Sequence, residues 1–276
     1  MTGDCPEFAY LRQLVYQHSA IVLEPNQFYL AESRLGEIAQ HAGYENPEKL
    51  LSQLRQEKFH GLHRKVVEAM TTNETSFFRD IHPFEALRKV VLPTLVKQRL
   101  IDRRLTIWCA AASTGQEPYS LAMLLREHFP EIVTNWTVRI IATDLSGEVL
   151  SKAKSGRYSQ LEIGRGLPAQ LLVKYFRQDG KSWCLNDSII KMIEFREMNL
   201  AQPWPLLPLS DLVMMRNVLI YFDLNTKRDI LRRVRELLKP GGVLFLGTAE
   251  TTLNLDSVYT QKHAEKTTFF QVGSGA

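Results

Sequence analysis

Leu105-Thr106-Ile107-Trp108-Cys109-Ala110 runs directly into Ala111-Ala112-Ser113-Thr114-Gly115-Gln116-Glu117-Pro118, and that stretch into Tyr119-Ser120-Leu121-Ala122-Met123-Leu124-Leu125-Arg126. The first is a short unbroken apolar run, the pattern of a strand buried on both faces. The second is rich in small residues and reads as a turn. The third has the spacing of an amphipathic helix. The order then repeats. Residues 136–146 read as a second strand that closes on an acid, Asp144, and residues 147–156 as a helix capped by Gly156. Strand, helix, strand, helix is the signature of a doubly wound α/β sheet.

Toward the C-terminus the rhythm breaks over residues 157–188. Residues 167–176 have helical spacing, and a short hairpin is expected around Asn186-Asp187, so this segment reads as a small β-subdomain inserted into the sheet domain. The alternation resumes with a strand over 192–200 and a strand with its following turn over 211–222. A helix from Asn225 is stopped by Pro240-Gly241-Gly242, and a strand starts at Val243. Residues 266–272 are expected to close the chain as an antiparallel edge strand. Toward the N-terminus, Phe8, Leu11, Leu14 and Val15 recur at helical spacing, as do Leu35, Ile38 and Ala39. Asn46-Pro47 opens another helix, with proline at the favoured first position, and a last one is expected from about Gln56 to Met70. The spacing therefore predicts an all-α domain over 1–70, a linker with connecting helices over 71–104, and an α/β domain over 105–276 with its insertion near 157–188.

Bulk properties narrow the class. The chain has 276 residues, 45% hydrophobic and 23% charged, enough for a sizeable core. A net charge of +4 is too weak to indicate nucleic acid. Cys5, Cys109 and Cys184 are scattered and form no C-x-x-C pair, which predicts a reduced, cytoplasmic protein with no disulfide framework and no metal site. The opening residues lack the basic and apolar regions of a signal peptide, and no apolar run approaches the roughly 20 residues needed to span a bilayer.

In an open α/β sheet, ligands bind beyond the carboxyl ends of the strands. The polar residues there are Glu117, Asp144, Asn199, Arg216 and Asn217, with Leu200 and Tyr221 close by in sequence. Asp144 stands where an acid takes ribose hydroxyls in nucleotide folds. The first turn lacks G-x-G-x-x-G, so a pyrophosphate is not expected. Glu117, in the first helical turn, would repel a phosphate but suits a cation such as the ammonium or sulfonium of S-adenosylmethionine. A favourable placement against the helix dipole is the plainer explanation of that one acid.

Several stretches together carry a family resemblance: Thr71-Thr72-Asn73-Glu74-Thr75-Ser76-Phe77-Phe78-Arg79, Ala111 to Ser120, Ala142-Thr143-Asp144, Arg216-Asn217-Val218-Leu219-Ile220-Tyr221-Phe222, Lys239-Pro240-Gly241-Gly242 and Gly247-Thr248-Ala249-Glu250. In motif and order the chain resembles the CheR-type chemoreceptor methyltransferases. The resemblance implies a Rossmann-like S-adenosylmethionine-dependent sheet preceded by the all-α domain. It implies methylation of glutamates on the cytoplasmic methylation helices of bacterial chemoreceptors, leaving S-adenosylhomocysteine, in sensory adaptation. Asn73, Thr75, Arg79, Glu117, Asp144, Asn199, Leu200, Arg216 and Asn217 would then hold the cofactor, and Arg79 and Tyr221 would lie near the transferring methyl.

Arg55, Lys58, His60, His63, Arg64 and Lys65 cluster in one stretch. Arg55, Lys58, Arg64 and Lys65 would steer a glutamate-rich receptor helix; a solvated helix face is the alternative. Family members that tether to a receptor C-terminal pentapeptide have a longer, glycine-bearing hairpin loop in the insertion. Residues 176–183 are compact here, which predicts direct recognition without the tether. A methyltransferase acting on RNA or a small molecule would share the fold, but it would favour an N-P-P-Y-like motif where this chain has Met215-Arg216-Asn217-Val218.

Overall fold

The structure is a computed structural model and describes residues 5–272. It divides into two compact units. One holds residues up to 72 together with Leu200–Gln202 and Tyr221–Thr226, and the other holds the remainder.

The first unit is built on four helices. Helix α1 (Pro6–Ser19) is capped by Cys5, whose Sγ accepts the Phe8 N–H, and buries Phe8, Leu11, Leu14 and Val15. Helix α2 (Phe28–His41) contributes Ala31, Leu35 and Ala39 to the same core. Helix α3 (Pro47–Leu54) starts as the sequence predicts, with Asn46 Oδ1 accepting the Lys49 N–H. Helix α4 is shorter than expected, Gly61–Ala69, because His60 ends the preceding turn as its cap and accepts the Leu62 N–H at 3.2 Å. His63 Nδ1 accepts the His60 N–H, and the ring contacts the Leu54 carbonyl at 2.9 Å. His63 is therefore a buried residue that joins α3 to α4 rather than part of an exposed basic face.

The second unit opens with α5 (His82–Ala86) and α6 (Leu92–Gln98), joined by a π-helical turn. Strand β1 (Arg104–Ala110) leads to α7 (Gln116–His128) and α8 (Pro130–Asn135), and β2 (Thr137–Asp144) leads to α9 (Gly147–Ser155), closed by left-handed Gly156. The insertion follows: β3 (Arg157–Ser159), α10 (Gln160–Gly164), α11 (Ala169–Tyr175), β4 (Phe176–Asp179) and β5 (Ser182–Leu185), with strand order β3-β5-β4. Its hairpin turns at Gly180-Lys181, where Gly180 supplies a φ of 60°. The Asn186-Asp187 pair expected to turn it instead starts the short helix α12 (Asp187–Ile190).

Strands β6 (Ile193–Glu197) and β7 (Ser210–Met215), helix α13 (Leu224–Leu237), and strands β8 (Leu238–Leu246), β9 (Tyr259–Ala264) and β10 (Thr267–Val272) complete the chain. The large sheet has the order β6-β2-β1-β7-β8-β10-β9. Strands β6, β2, β1, β7 and β8 pair in parallel; β10 pairs antiparallel to β8 and to β9. The edge is thus β9, and β10 lies inside it. Four consecutive exposed polar residues in β9, Thr260 to His263, leave no apolar run to read as a strand.

Strand order reverses between β1 and β7, so their carboxyl ends form the switch-point crevice where this class of sheet binds ligands. The amino end of β7 is fixed by Asp211, fully buried, which accepts from Arg99 Nε at 2.7 Å, Lys239 Nζ at 2.8 Å and the Thr106 N–H at 2.8 Å. Among the described residues no helix is long and apolar enough to cross a membrane.

Candidate active site

The turn after β1 is a run of left-handed residues: Ala111 (φ 54°), Ser113 (φ 50°) and Gly115 (φ 92°). Only Gly115 needs to be glycine. A Cβ there would stand 2.9 Å from the Ala153 Cβ and 3.1 Å from the Tyr119 ring. Ala111 and Ser113 carry side chains in a region that costs non-glycine residues energy, so the surroundings must hold them there. The Asp144 carboxylate does part of this. Its Oδ2 accepts the Ser113 N–H at 2.8 Å, and its Oδ1 accepts the Ser146 N–H at 3.1 Å. Asp144 ends β2 as the sequence predicts, and it also shapes the neighbouring turn.

Residues 73–80 are fastened to the same place. Ser113 Oγ donates to the Asn73 carbonyl at 2.8 Å, and the Phe78 N–H donates to Ser120 Oγ at 3.0 Å. Phe77 is fully buried, edge-on to Tyr158 and Phe176. Phe78 and Asp80 both take positive φ, 47° and 62°, so the chain reverses tightly around Arg79. Arg79 is half-buried, and its Nη1 donates to the Glu74 carbonyl. Thr75 is half-buried and Asn73 exposed.

The charged centre is Arg216, at the carboxyl end of β7 with 2% of its side chain exposed. Nη1 contacts Glu117 Oε2 at 2.9 Å, while Nη2 contacts Asp80 Oδ2 at 2.7 Å and the Arg79 carbonyl at 3.1 Å. Burial pushes the Glu117 carboxyl above the usual glutamate range, with Arg216 and Arg79 pulling it back. Asn217, the next residue, sits at φ 59°. It is held by Glu250, whose two oxygens accept the N–H groups of Asn217 (2.8 Å), Val218 (2.8 Å), Ile220 (3.2 Å) and Gly247 (2.6 Å). A Cβ on Gly247 would lie 2.7 Å from Asn217 Nδ2, so this close approach requires glycine.

Two polar atoms here are buried and have no hydrogen-bond partner among the described residues: Arg216 Nε, a donor, and Asn217 Oδ1, an acceptor. Buried polar groups are rarely left so, and each points to a ligand or solvent that completes it. A zwitterionic amino-acid group, such as the methionine part of S-adenosylmethionine, carries a carboxylate for the first and an ammonium for the second. The residues present therefore fit that cofactor.

The second unit thus brings together Arg79, Glu117, Arg216 and Asn217, with Asp144 and Asn73 joined through Ser113. Asn199, half-buried, follows β6 in the same unit. Leu200 and Tyr221 group with the helical unit. There the Tyr221 carbonyl accepts the Val22 N–H at 2.9 Å, and the next residue, Phe222, pairs with Ile21. Arg55 and Lys58 are exposed in the turn after α3, and Arg64 and Lys65 are exposed on α4, so the basic residues span a turn and a helix. Sequence reasoning assigned no role to Asp80 or Glu250. The signal available for Glu250 was an acid three residues beyond Gly247, at the carboxyl end of a strand.

A parallel sheet reversing between β1 and β7, an acid closing β2, and a buried carboxylate with unmatched polar atoms at the switch point define an S-adenosylmethionine-dependent methyltransferase. The chain belongs to the CheR methyltransferase family: residues 6–71 match its all-alpha domain and residues 73–268 its SAM binding domain. It is 43% identical over 262 residues to chemotaxis protein methyltransferase 1 of Pseudomonas aeruginosa, a match covering 94% of this chain and 95% of that protein. It is 39% identical over 261 residues to chemotaxis protein methyltransferase Cher2 of Pseudomonas putida, covering 94% of each. It is 34% identical over 253 residues to chemotaxis protein methyltransferase of Vibrio anguillarum, covering 90% of each.

Proposed function

We propose that this protein works in the bacterial cytoplasm, transferring the methyl group of S-adenosylmethionine to glutamate side chains on the methylation helices of chemoreceptors. The products are a glutamate methyl ester and S-adenosylhomocysteine. Family membership supports the reaction and the substrate. The observation that carries the cofactor reading is the pair of unmatched buried atoms, Arg216 Nε and Asn217 Oδ1, beside the buried Glu117.

S-adenosylmethionine supplies an electrophilic methyl on a sulfonium. A glutamate side chain is already ionised at neutral pH, so no general base is needed. What the chain's own residues contribute is alignment and exclusion of water; alignment alone can lower a barrier by about 7–11 kcal/mol in favourable cases. Glu117 would balance cofactor positive charge, and Asp144 would take the ribose. Asn73, Thr75, Asn199 and Leu200 would complete the cofactor's surroundings. Arg79 would hold one oxygen of the target carboxylate while the other attacks, and Tyr221 would donate a hydrogen bond near the reacting atoms. Arg55, Lys58, Arg64 and Lys65 would attract the acidic receptor helix. The two-residue turn at Gly180-Lys181 supports recognition without a receptor C-terminal tether.

The test is transfer of labelled methyl from S-adenosylmethionine to chemoreceptor cytoplasmic fragments, with and without their C-terminal tails. Base-labile label on both forms is expected. Label on neither would overturn the reaction, and label only on the tailed form would overturn tether-free recognition.

A further inference from the structure

The connection from β6 to β7, residues 198–209, runs from the carboxyl end of one strand to the amino end of the other, past β2 and β1. Parallel crossovers of this reach usually carry a helix. This one has none. Pro203, Pro205 and Pro208 account for that: each lacks the N–H that a helix interior needs, and each drives the residue before it toward extended backbone. Without helical hydrogen bonds of its own, the segment depends on side chains to hold it against the sheet.

Trp204, between two of those prolines, supplies that hold. The steps β6 to β7 and β7 to β8 run the same way across the sheet, so right-handed connections put residues 198–209 and α13 on one face. The half-buried Trp204 ring meets both the sheet and the helix there. Trp108 of β1, 1% exposed, packs edge-on to it, with ring centroids 5.1 Å apart and planes at 71°. Trp108 is oriented in turn by its Nε1, which donates to Thr143 Oγ1 at 2.9 Å. From α13, the Arg233 guanidinium stands 4.5 Å from the Trp204 ring centroid, the geometry of a cation–π contact. Asp229, one turn earlier, holds that guanidinium at 2.7 Å. At the start of the segment, the Met198 N–H donates to the Asp144 carbonyl at 2.8 Å. Asn199 is therefore tethered on both sides, to Asp144 through Met198 and to the sheet face through Trp204.

We propose that Trp204 is a positioning residue for the cofactor: anchored by Trp108 and Arg233, it fixes the helix-free segment that carries Asn199 and so sets affinity for the adenosine half. This rests on the S-adenosylmethionine reading above, in which Asp144 and Asn199 serve that half while Glu117 and Arg216 serve the amino-acid half. A ligand that needs the segment ordered binds more weakly in proportion to the time the segment spends loose. Trp204 acts on the reaction only through Asn199, so its loss affects cofactor binding and leaves methyl transfer from the bound cofactor unchanged.

The experiment uses the whole chain. It measures affinity for S-adenosylhomocysteine and for 5′-methylthioadenosine, which has the adenosine half without the amino acid. It also measures KM for S-adenosylmethionine and kcat on a chemoreceptor cytoplasmic fragment. Trp204→Ala should weaken both ligands by one factor, about tenfold, as when the ordered segment falls to about a tenth of the population. KM for S-adenosylmethionine should rise alike, with kcat at saturation unchanged. Trp204→Phe keeps a ring for both neighbours and should recover most of the loss. Trp204→Leu fills the gap without a ring, should weaken both ligands about threefold, the scale of one cation–π contact, and decides the matter if Trp204→Ala does not fold. In an Asn199→Ala background, Trp204→Ala should add nothing further. Additive losses, a loss confined to S-adenosylhomocysteine, a fall in kcat with KM unchanged, or unaltered affinity in Trp204→Leu would each overturn the proposal while the cofactor reading stands. Failure of the unaltered protein to bind S-adenosylhomocysteine would overturn that reading and this inference with it.

Discussion

Glu250 fixes the left-handed turn at Asn217: its Oε2 accepts the Asn217 N–H at 2.8 Å and, from the next loop, the Gly247 N–H at 2.6 Å. One carboxylate thereby binds the carboxyl ends of β7 and β8 together, with Asn217 held at a φ of 59°. Glu250→Gln places an NH2 where two backbone N–H groups need an acceptor. Each unsatisfied group costs about 1–3 kcal/mol. The expected result is a fall of several degrees in melting temperature and a loss of about tenfold in S-adenosylhomocysteine affinity. Thermal unfolding and calorimetry measure the two; a variant matching the parent in both would remove Glu250 from the account of the site.

Arg79 stands in a reversal whose flanking residues, Phe78 and Asp80, are both left-handed, and its own carbonyl accepts from Arg216 Nη2. The strain at Phe78 is compensated by burial of its side chain in the core. Arg79→Ala should lower the methylation rate about 100-fold, the scale of losing a charged donor at a reacting oxygen, while S-adenosylhomocysteine affinity falls much less. Arg79→Lys should recover only part, because one ammonium does not reproduce a planar fork. Stopped assays with labelled methyl donor give the rate and calorimetry the affinity. Equal losses in both would make Arg79 a cofactor ligand only.

Much of this was legible in the sequence because β1, β2, β7 and β8 are buried on both faces and read as apolar runs, and because capping residues such as Asn46 and Gly156 mark helix ends by local chemistry. Asp144 and Arg216 were found because strand ends can be located from those runs. β9 was missed because Tyr259-Thr260-Gln261-Lys262-His263-Ala264 lies at the sheet edge, where exposure removes the apolar signal. The hairpin turn was placed at Asn186-Asp187 because that pair has the chemistry of a turn. The chain uses Gly180-Lys181 instead, and Asn186 initiates a helix. His63 looked like one of several exposed basic residues; only tertiary packing against the Leu54 carbonyl buries it. Glu250 and Asp80 act through contacts with residues 33 and 136 positions away in sequence. No local pattern encodes such contacts.

Glu117 makes the pH dependence of cofactor binding informative. Burial raises its pKa above the usual glutamate value, so it takes up a proton at a higher pH than an exposed glutamate does. Protonation removes the negative charge that would face the cofactor cation. S-adenosylmethionine affinity should therefore hold at neutral pH and fall as pH drops through the raised Glu117 value, before ordinary carboxylates titrate. Glu117→Gln should bind more weakly at neutral pH by about tenfold and show a flatter profile over that interval. Calorimetry across pH with both proteins measures this. A parallel fall in parent and variant would place the titration on another group.

The exposed cations of the helical unit carry the last expectation. Arg64 is paired at 2.8 Å with Glu68 on its own helix, an exposed contact of the kind worth about 0.3–0.5 kcal/mol. Lys65 is exposed beside it, and Arg55 and Lys58 lie in the preceding turn. Since His63 is buried, it adds no exposed charge to this stretch, and these four carry its permanent positive charge. Charges at the rim of an interface act mainly on encounter rate and are screened over about 8–10 Å at physiological salt. Arg64→Glu with Lys65→Glu should therefore raise KM for a receptor fragment about tenfold at low ionic strength, leave kcat unchanged, and shrink the response of KM to added salt. The fold should be unaffected, because neither side chain enters the core of α1 to α4. If receptor methylation by the double variant keeps the parent's KM and salt dependence, the basic face is a solvated surface and recognition rests elsewhere.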